Sequence, residues 1–352
     1  MKDYIAFDVH KHYTLAEREN IRTGEITRCR IEHSPGAIRS YLKNVKPGTD
    51  VAIEATGNYY WISDEVEDAG LNPLLVNPMK AKMMMCNGNK TDKLDVHGLN
   101  RLQRNKTLPT VWIPPKEIRD LRELPRTRMF FTGRRTQLKN RIQATLAKYG
   151  LQMGGFSDPF GKKAREKMDT LLKKLPPQTK YVTCELLNEL DFIGERMGRI
   201  EEMIDDLIEK TPEMQRLMTL PGVGRILSVV IMLEIGDINR FPSASHLSSY
   251  SGCAPRVNSS GDKTRFGRLR GDVNRNLKWA FVEAANCFRL HMRNHEGSRM
   301  FRIYNHIYHR RGHSKAIGAV ARHVAESAWH VLMRNEDYKE PISYRPVLTM
   351  GA

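Results

Sequence analysis

The stretch Ile5-Ala6-Phe7-Asp8-Val9-His10-Lys11 decides the fold of this chain, because it is an apolar run of strand length that ends around an acid. A second run, Val51-Ala52-Ile53-Glu54-Ala55-Thr56-Gly57-Asn58, repeats the pattern. A carboxylate at the end of an apolar strand is costly unless a ligand compensates it. The two runs therefore predict strands whose acids belong to a functional site.

The patterns around these runs predict an α/β domain over residues 1–115. Strand-length apolar runs lie at Tyr4–Val9, Tyr13–Glu17, Ile26–Ile31, Asp50–Glu54 and Pro73–Val76, with helix patterns at Ala37–Lys43 and Tyr60–Ala69. The first three runs are close together, which indicates an antiparallel meander. The order βββαβαβα, with an acid on the first and fourth strands, is the ribonuclease H-like arrangement. Pro114-Pro115 marks the boundary, because neither residue can continue a helix interior.

Asp92 and Asp95 complete a candidate metal site. They are three residues apart, so they share one face of a predicted helix. Two divalent ions about 4 Å apart can flank a scissile phosphate, and such ions need several hard oxygen ligands. With Asp8 and Glu54 the pair supplies four carboxylates. Two flanking lysines fit phosphate contacts or plain solvated side chains equally well: Lys11 and Lys90.

Residues 116–210 are predicted to form a long helical hairpin. Its first helix runs from Glu117 to Lys148. Further on, apolar residues alternate at four- and three-residue spacing, and we call this set the heptad seam: Leu186, Leu190, Ile193, Met197, Ile200, Ile204 and Leu207. A seam does not name its partner. Packing within the chain and multimerisation through a coiled coil therefore both stay open.

Residues 211–345 are predicted to be mostly helical, with a Gly- and Arg-rich central stretch. The domain begins with Leu220-Pro221-Gly222-Val223-Gly224 ahead of the apolar helix Ile226–Ile235. This string resembles the turn of a helix–hairpin–helix module, in which Gly222 and Gly224 let backbone N–H groups approach a phosphate. An ordinary connection between two helices is the alternative.

A serine-containing stretch follows between Tyr250 and Arg275. It holds Ser259-Ser260-Gly261 among many cations, and a hydroxyl fixed among cations can attack a phosphate. The stretch has no histidine to act as a base, so composition alone favours a plain turn at Ser260 over a nucleophile. Its candidate nucleic-acid contacts are Arg265, Arg268, Arg270 and Arg275.

Seven histidines lie between residues 291 and 330. A zinc site is disfavoured, because no cysteine pair or carboxylate pattern accompanies them. Together with Arg310, Arg311 and Lys315 they indicate a surface that faces nucleic acid or solvent.

The overall charge favours a polyanionic partner. The chain of 352 residues has 57 Lys and Arg against 40 Asp and Glu, a formal net charge of +17. DNA, RNA and an anionic membrane all fit this balance. The sequence has no apolar run of about 18 residues and no signal-peptide pattern, and its five scattered cysteines are typical of reduced thiols. We therefore expect a cytoplasmic protein with no membrane partner.

The chain resembles the transposases of bacterial insertion sequences that combine a DEDD ribonuclease H-like (RuvC-like) domain with a serine-containing C-terminal domain. These are also called bridge-RNA-guided recombinases. The resemblance covers nearly the whole chain and rests on motifs in this order: Phe7-Asp8-Val9-His10-Lys11, Ile53-Glu54-Ala55-Thr56-Gly57, Lys90-Thr91-Asp92-Lys93-Leu94-Asp95, Leu220-Pro221-Gly222-Val223-Gly224, Gly252-Cys253-Ala254-Pro255, and Ser260-Gly261 with Arg268 to Arg275.

This resemblance implies a bacterial, nucleoid-associated protein, and it also implies a mechanism. Two Mg²⁺ ions would be bound by Asp8, Glu54, Asp92 and Asp95. Ser260, which fits the family motif better than Ser259, would attack a DNA phosphodiester and form a phosphoserine intermediate. Ser260 of one protomer would act with the carboxylates of another, so the protein would be a homodimer or tetramer assembled through the coiled coil. A noncoding RNA from the element's own end would pair with both donor and target DNA.

Two other functions compete with transposition. A structure-selective nuclease of the junction-resolvase kind would use the four carboxylates and water, and would form no covalent adduct. A non-catalytic nucleic-acid scaffold would bind without cleaving under any metal. The serine stretch and the heptad seam favour the recombinase.

Overall fold

A five-stranded sheet forms the centre of the first of two units into which the chain divides, residues 1–114 and 115–352. The computed structural model describes residues 3–85, 91–260, 263–269 and 273–340, and for residues 257–260, 263–266 and 268–269 it describes the backbone alone. The two units divide between Pro114 and Pro115. The further predicted division at residue 210 stays a prediction.

The first unit alternates strands and helices. Its elements are β1 (Asp3–Val9), β2 (Tyr13–Asn20), β3 (Ile26–Glu32), α1 (Ala37–Leu42), β4 (Asp50–Glu54), α2 (Tyr59–Asp68), β5 (Asn72–Val76), α3 (Pro78–Met85) and α4 (Asp92–Arg104). The strand order is β3-β2-β1-β4-β5. The first three strands are antiparallel, whereas β4 runs parallel to β1 and to β5. The predicted mixed α/β unit with an antiparallel meander is therefore confirmed.

The pleat of β1 decides which side chains meet which helices. Successive side chains on a strand point to opposite faces. Ile5, Phe7 and Val9 belong to a core that α1 and α2 complete, whereas Ala6 belongs to a second core with α4 residues. Asp8 has the parity of Ala6. The acid of the first strand therefore lies on the face that α4 covers.

The second unit is mostly helical. Its elements are α5 (Lys116–Lys148), α6 (Lys162–Leu172), α7 (Pro177–Leu207), α8 (Pro212–Leu217), α9 (Arg225–Ile235), α10 (Ala244–Tyr250), β6 (Pro255–Ser260), β7 (Lys263–Leu269), α11 (Arg275–Leu290), α12 (Arg299–Arg311) and α13 (His313–Arg334), with short 3₁₀ turns at Ile238–Arg240 and Met292–His295. A core shared by α8 to α13 contains Phe281, Phe288 and Tyr304. None of the helices in the described ranges has the length and hydrophobicity that a bilayer crossing requires.

The heptad seam is mostly buried inside the chain. The helices α5 and α7 pack along each other, and Leu190, Ile193, Met197 and Ile204 are each 5% exposed or less. Leu207, at the end of the seam, is 58% exposed. Packing within the chain therefore accounts for most of the seam. Multimerisation through its exposed end stays a prediction.

We expect the two ends of the seam to differ sharply in their effect on stability. Leu190→Ala should lower the free energy of unfolding by about 2–5 kcal/mol, because Leu190 is buried with Ile142 and Leu146. Leu207→Ala should stay within about 0.5 kcal/mol of the wild type. Guanidinium unfolding of both variants measures the difference. A large loss in Leu207→Ala would contradict this and show that another copy covers the end of the seam.

One strand pair in the second unit escaped prediction. The sequence predicted only a turn at Ser260, but Pro255–Ser260 and Lys263–Leu269 form the antiparallel hairpin of β6 and β7, in which Ser260 pairs with Lys263. Both strands are rich in polar and cationic residues, so the sequence lacks the alternation of apolar and polar residues that signals a half-buried strand. The prediction of a mostly helical C-terminal region still holds.

Candidate metal centre and serine hairpin

The structure brings the four predicted acids together. A cavity of about 340 Å³ lies at the C-terminal ends of β1 and β4. It is lined by side chains of α3, by His10, and by the four acids Asp8, Glu54, Asp92 and Asp95. Asp8 and Glu54 follow Phe7 and Ile53, which are partners in the parallel pairing of β1 and β4. The ends of two neighbouring strands thus place two carboxylates side by side, on the face that α4 covers.

The first turn of α4 supplies the other two carboxylates. Thr91 caps the helix, since its side chain accepts a hydrogen bond from the backbone N–H of Leu94. Asp92 and Asp95 then lie in the first turn, where the helix dipole favours negative charge. Farther along, Val96, Leu99 and Leu102 are buried against the sheet. The apolar face of α4 therefore fixes the orientation in which its acids reach the cavity.

A buried glutamate on β2 also fixes α4. The side chain of Glu17 is fully buried, and its Oε1 lies 3.0 Å from His97 Nδ1 and accepts a hydrogen bond from Asn100 Nδ2 at 2.9 Å. Arg28 Nε donates to its Oε2 at 2.8 Å. Sequence reasoning missed this residue, because an acid in a polar strand has no distinctive pattern. Glu17 positions the helix that carries Asp92 and Asp95.

Burial and the close approach of the acids raise the pKa of Glu54. Burial, a hydrogen bond with Asp8 and the charges of Asp8 and Asp95 raise the pKa of the Glu54 carboxyl to about 7, while His10 acts in the opposite direction. Carboxylates held this close repel one another unless a proton or a cation intervenes. The cluster is therefore electrostatically suited to a cation.

We expect the metal-free protein to lose stability as the pH rises from about 4.5 to about 7. A raised carboxyl pKa means that the folded state holds a proton that the unfolded state has already released, so stability falls across that window. Relative to Glu54→Gln, the wild type should lose on the order of 1 kcal/mol after solvent screening. Urea unfolding in EDTA at both ends of the window measures this. Parallel pH profiles for the two proteins would contradict it.

His10 is a site residue that sequence reasoning missed. Its Nε2 lies 3.3 Å from Asp8 Oδ2 and 3.4 Å from Asp92 Oδ2. The sequence shows His10 two residues after Asp8, just beyond the end of β1, but it does not show the approach to Asp92. One nitrogen of His10 and one oxygen of each acid lie within 4.8 Å of one another, close enough to ligate a single metal ion.

The residues present fit a divalent metal. His10 Nε2 is buried and has no hydrogen-bond partner within the described part of the chain. A buried polar atom without a partner is costly, and a metal ion would satisfy it. Oxygen ligands from the four carboxylates match the preference of hard divalent cations. Because all of these groups converge on one cavity, Asp8, Glu54, Asp92 and Asp95 could hold the metal.

The serine stretch lies in the second unit. Ser259 and Ser260 are the last two residues of β6, and the backbone of Ser260 pairs with that of Lys263 on β7. Gly261, the neighbour that marks the family motif, lies outside the described residues. The hairpin presents the serine pair at the far end of β6 from the helical body that precedes Pro255.

The base of this hairpin is fastened firmly. At its start, the N–H groups of Cys253 and Ala254 both donate to the carbonyl of Ser248. At its return, the N–H of Asn274 donates to the carbonyl of Tyr250 at 3.1 Å. Both ends of the hairpin therefore attach to the end of α10.

The buried side chain of Glu234 also holds Asn274, which follows β7 in the chain. Asn274 Nδ2 donates to Glu234 Oε2 at 2.8 Å, and Asn274 also caps α11 by accepting from the N–H of Leu277. Arg126, on α5, makes a two-pronged contact with both oxygens of Glu234, at 2.8 and 3.1 Å. Such paired contacts are strong and directional. They offset the burial of Glu234, whose pKa is lowered despite the desolvation that acts to raise it.

The predicted nucleic-acid contacts differ in how much of each residue the structure describes. Lys11 and Arg275 are exposed, and Lys90 and Arg270 lie outside the described residues. For Arg265 and Arg268 the backbone lies in β7. These roles all stay predictions.

The two glycines of the predicted turn differ from each other. Gly222 has φ +85°, and a side chain there would collide with the backbone of Ala284 on α11. Gly222 is therefore needed for close packing. Gly224 precedes α9 with open space around it and provides no side-chain cap. Phosphate binding by either residue stays a prediction.

Basic residues cover the end of α12 and the start of α13. Residues 308–315 are exposed throughout and include Tyr308, Arg310, Arg311 and Lys315. The sequence from 297 to 325 contains no Asp or Glu. His309 and His313 lie on this exposed surface, as predicted, whereas His323 is only 7% exposed on α13, so the prediction of an exposed surface was wrong for that histidine.

Comparison with known proteins identifies relatives along most of the chain. Residues 5–150 match the model of a DEDD transposase family, and residues 214–300 match that of the transposase IS116/IS110/IS902 family. The transposase for insertion sequence element IS1111A of Coxiella burnetii is 26% identical over 300 residues, covering 85% of this chain and 82% of that protein. A probable family 20 transposase of Pseudomonas aeruginosa is 25% identical over 321 residues, or 88% and 91%. An uncharacterized 43.6 kDa protein of insertion element IS110 from Streptomyces coelicolor is 36% identical over 107 residues, or 30% and 26%.

Proposed function

The chain belongs to the IS116/IS110/IS902 family of insertion-sequence transposases, and we propose that it excises and inserts its element by Mg²⁺-dependent DNA strand exchange with Ser260 as nucleophile, guided by a noncoding RNA. Its enzymatic class is DNA transposition, with DNA as substrate. The observation that carries the proposal is the convergence of four carboxylates and the His10 imidazole on one cavity.

The first unit is the metal-binding half of this proposal. Its strand order and directions support a RuvC-like assignment. Asp8, Glu54, Asp92 and Asp95 would hold two Mg²⁺ ions, which as Lewis acids would stabilise charge on the scissile phosphate. The chain's own contribution is positional: strands β1 and β4 fix Asp8 and Glu54, and Glu17 fixes the helix that bears the other two acids.

The second unit supplies the nucleophile. The Ser260 hydroxyl would give up its proton as its oxygen bonds to phosphorus. The bond from phosphorus to one deoxyribose oxygen would break, and that oxygen would take up one proton and leave as a hydroxyl, so that protons balance. Reversal of this exchange on another strand rejoins the DNA without net hydrolysis. Support comes from the placement of the serine pair on a hairpin whose base is fixed by Ser248, Tyr250 and Asn274. Arg265, Arg268, Arg270 and Arg275 would contact phosphates.

The remaining partners are donor DNA, target DNA, a noncoding RNA and further copies of the chain. The net charge of +17 and the acid-free basic surface at residues 308–315 support binding of more than one polynucleotide. The turn before α9, in a helix-hairpin-helix-like element, would add a phosphate contact at Gly224. The exposed end of the coiled-coil helix α7 would contact another protomer in a dimer or tetramer.

The test is reconstitution of strand exchange. The protein is incubated with DNA from the element's ends, target DNA, RNA transcribed from the flanking noncoding region and Mg²⁺, and joined products are detected by amplification across the new junctions. We expect junctions that require the RNA and are absent in EDTA. Junctions that form equally well without RNA would reject guidance, and unaltered DNA under every divalent metal would reject the catalytic metal site.

A junction-resolvase-like nuclease is the alternative function. One observation favours it: the complete carboxylate set lies in the first unit, so a metal-and-water mechanism needs nothing from the serine hairpin. It predicts cleaved DNA with no joined product and no protein–DNA adduct.

A further inference from the structure

An imidazole lies inside the carboxylate cluster, where a metal site built for Mg²⁺ alone would need only oxygen atoms. His10 Nε2 faces Asp8 Oδ2 at 3.3 Å and Asp92 Oδ2 at 3.4 Å. It makes no hydrogen bond that the described residues could provide. The three atoms lie within 4.8 Å of one another, which is compatible with a single ion between them.

The ring of His10 is held in this position from several sides. It stacks on the ring of Tyr13, with ring centroids 4.5 Å apart. The guanidinium of Arg30 also contacts the Tyr13 ring, 3.7 Å from its centroid. Tyr13 also donates its hydroxyl to Asp92 Oδ2 at 3.2 Å. Residues outside the cluster therefore fix the imidazole relative to one of the acids that it faces.

The backbone beneath His10 is fixed as well. Asn58 Nδ2 donates to the carbonyls of His10 and Lys11, at 3.1 and 3.2 Å. The N–H of His10 donates to the carbonyl of Tyr13 at 2.9 Å. Such fixed geometry is what a ligand requires, because an ordered side chain loses little freedom when a metal binds.

We propose that His10 Nε2 is a ligand of the divalent cation held by Asp8 and Asp92, and that it makes this site bind Mn²⁺ in preference to Mg²⁺. The inference rests on the proposed metal site. Imidazole nitrogen suits transition metals, whereas Mg²⁺ prefers oxygen and readily keeps water in its shell. Loss of His10 should therefore weaken Mn²⁺ binding strongly, while Mg²⁺ replaces the nitrogen with water at little cost.

The experiment measures metal binding and not catalysis. The full-length protein without nucleic acid is titrated with Mn²⁺, free Mn²⁺ is read by electron paramagnetic resonance, and Mg²⁺ affinity follows from competition. The variants are His10→Ser, His10→Gln, which offers an oxygen at similar reach, and His12→Ser, which removes an exposed histidine of the same loop. Electron spin-echo modulation of bound Mn²⁺ then detects a directly coordinated nitrogen.

We expect nitrogen modulation in the wild type and in His12→Ser, and none in His10→Ser or His10→Gln. Mn²⁺ affinity should fall about tenfold in His10→Ser, with a much smaller change for Mg²⁺. Absence of nitrogen modulation in the wild type, or an equal loss of both metals in His10→Ser, would overturn the proposal. If the wild type binds Mn²⁺ no better than Asp8→Ala does, the metal site of the proposed function fails together with it.

Discussion

Replacing Ser260 by alanine is expected to abolish the covalent protein–DNA adduct and to lower strand joining by at least about a thousandfold. The reason is chemical: alanine has no oxygen to bond to phosphorus, and an enzyme that loses its nucleophile retains only binding and electrostatic effects. The adduct is measured on a denaturing gel after incubation with end DNA, RNA from the flanking region and Mg²⁺.

The matched control is Ser259→Ala, one residue earlier on the same strand. Ser259 is the alternative candidate for the nucleophile because it directly precedes Ser260 in the sequence. We expect Ser259→Ala to keep the adduct. An adduct lost in Ser259→Ala and kept in Ser260→Ala would reassign the nucleophile, and cleavage without an adduct in all three proteins would favour the water-using nuclease.

Asp8→Ala should abolish strand cleavage while leaving RNA binding nearly unchanged. Asp8 contacts both Glu54 and His10 in the cavity, so its loss removes the proposed metal ligand that both neighbours face. Removing several kcal/mol of electrostatic stabilisation from the transition state lowers the rate of cleavage about a thousandfold. A metal ligand is not a main phosphate contact, and RNA affinity should therefore change little. Gel cleavage assays and filter binding measure the two quantities.

Two further variants make this test specific. Asp8 is only 4% exposed, and Asp8→Asn keeps the shape of its side chain. A loss of cleavage in Asp8→Asn therefore cannot result from a packing void left by a smaller side chain. Glu67→Ala removes an exposed acid from α2 and should cleave normally. Wild-type cleavage by Asp8→Asn would show that the carboxylate is dispensable and would remove Asp8 from the metal site.

Much of the first unit was predictable from the sequence because β1 and β4 are short and apolar. The runs around Phe7 and Ile53 are buried on both faces, so each reads as a continuous apolar stretch that is bounded by polar residues. Their acids break the run at equivalent places, which is why Asp8 and Glu54 could be paired without a structure. The spacing of Asp92 and Asp95 needed only helical periodicity.

The residues that escaped prediction act through tertiary contacts. Glu17 and Glu234 gain their roles from partners far away in the sequence, His97 and Arg126 among them, and no local pattern encodes such distances. His10 belongs to the motif around Asp8, yet its approach to Asp92 depends on how α4 docks on the sheet. The strands β6 and β7 are polar, so backbone pairing and not hydrophobic alternation defines them.

The fastening of the serine hairpin at Ser248 and Tyr250 has a consequence for the design of chimeras. Because the segment from Pro255 to Val273 leaves and re-enters the helical body at one place, a foreign segment of different length can span the same two attachment points. The helices around Glu234 would keep their own contacts in such a hybrid, provided that Asn274 is retained. Residues 255–273 are thus the natural unit to exchange between relatives of this chain.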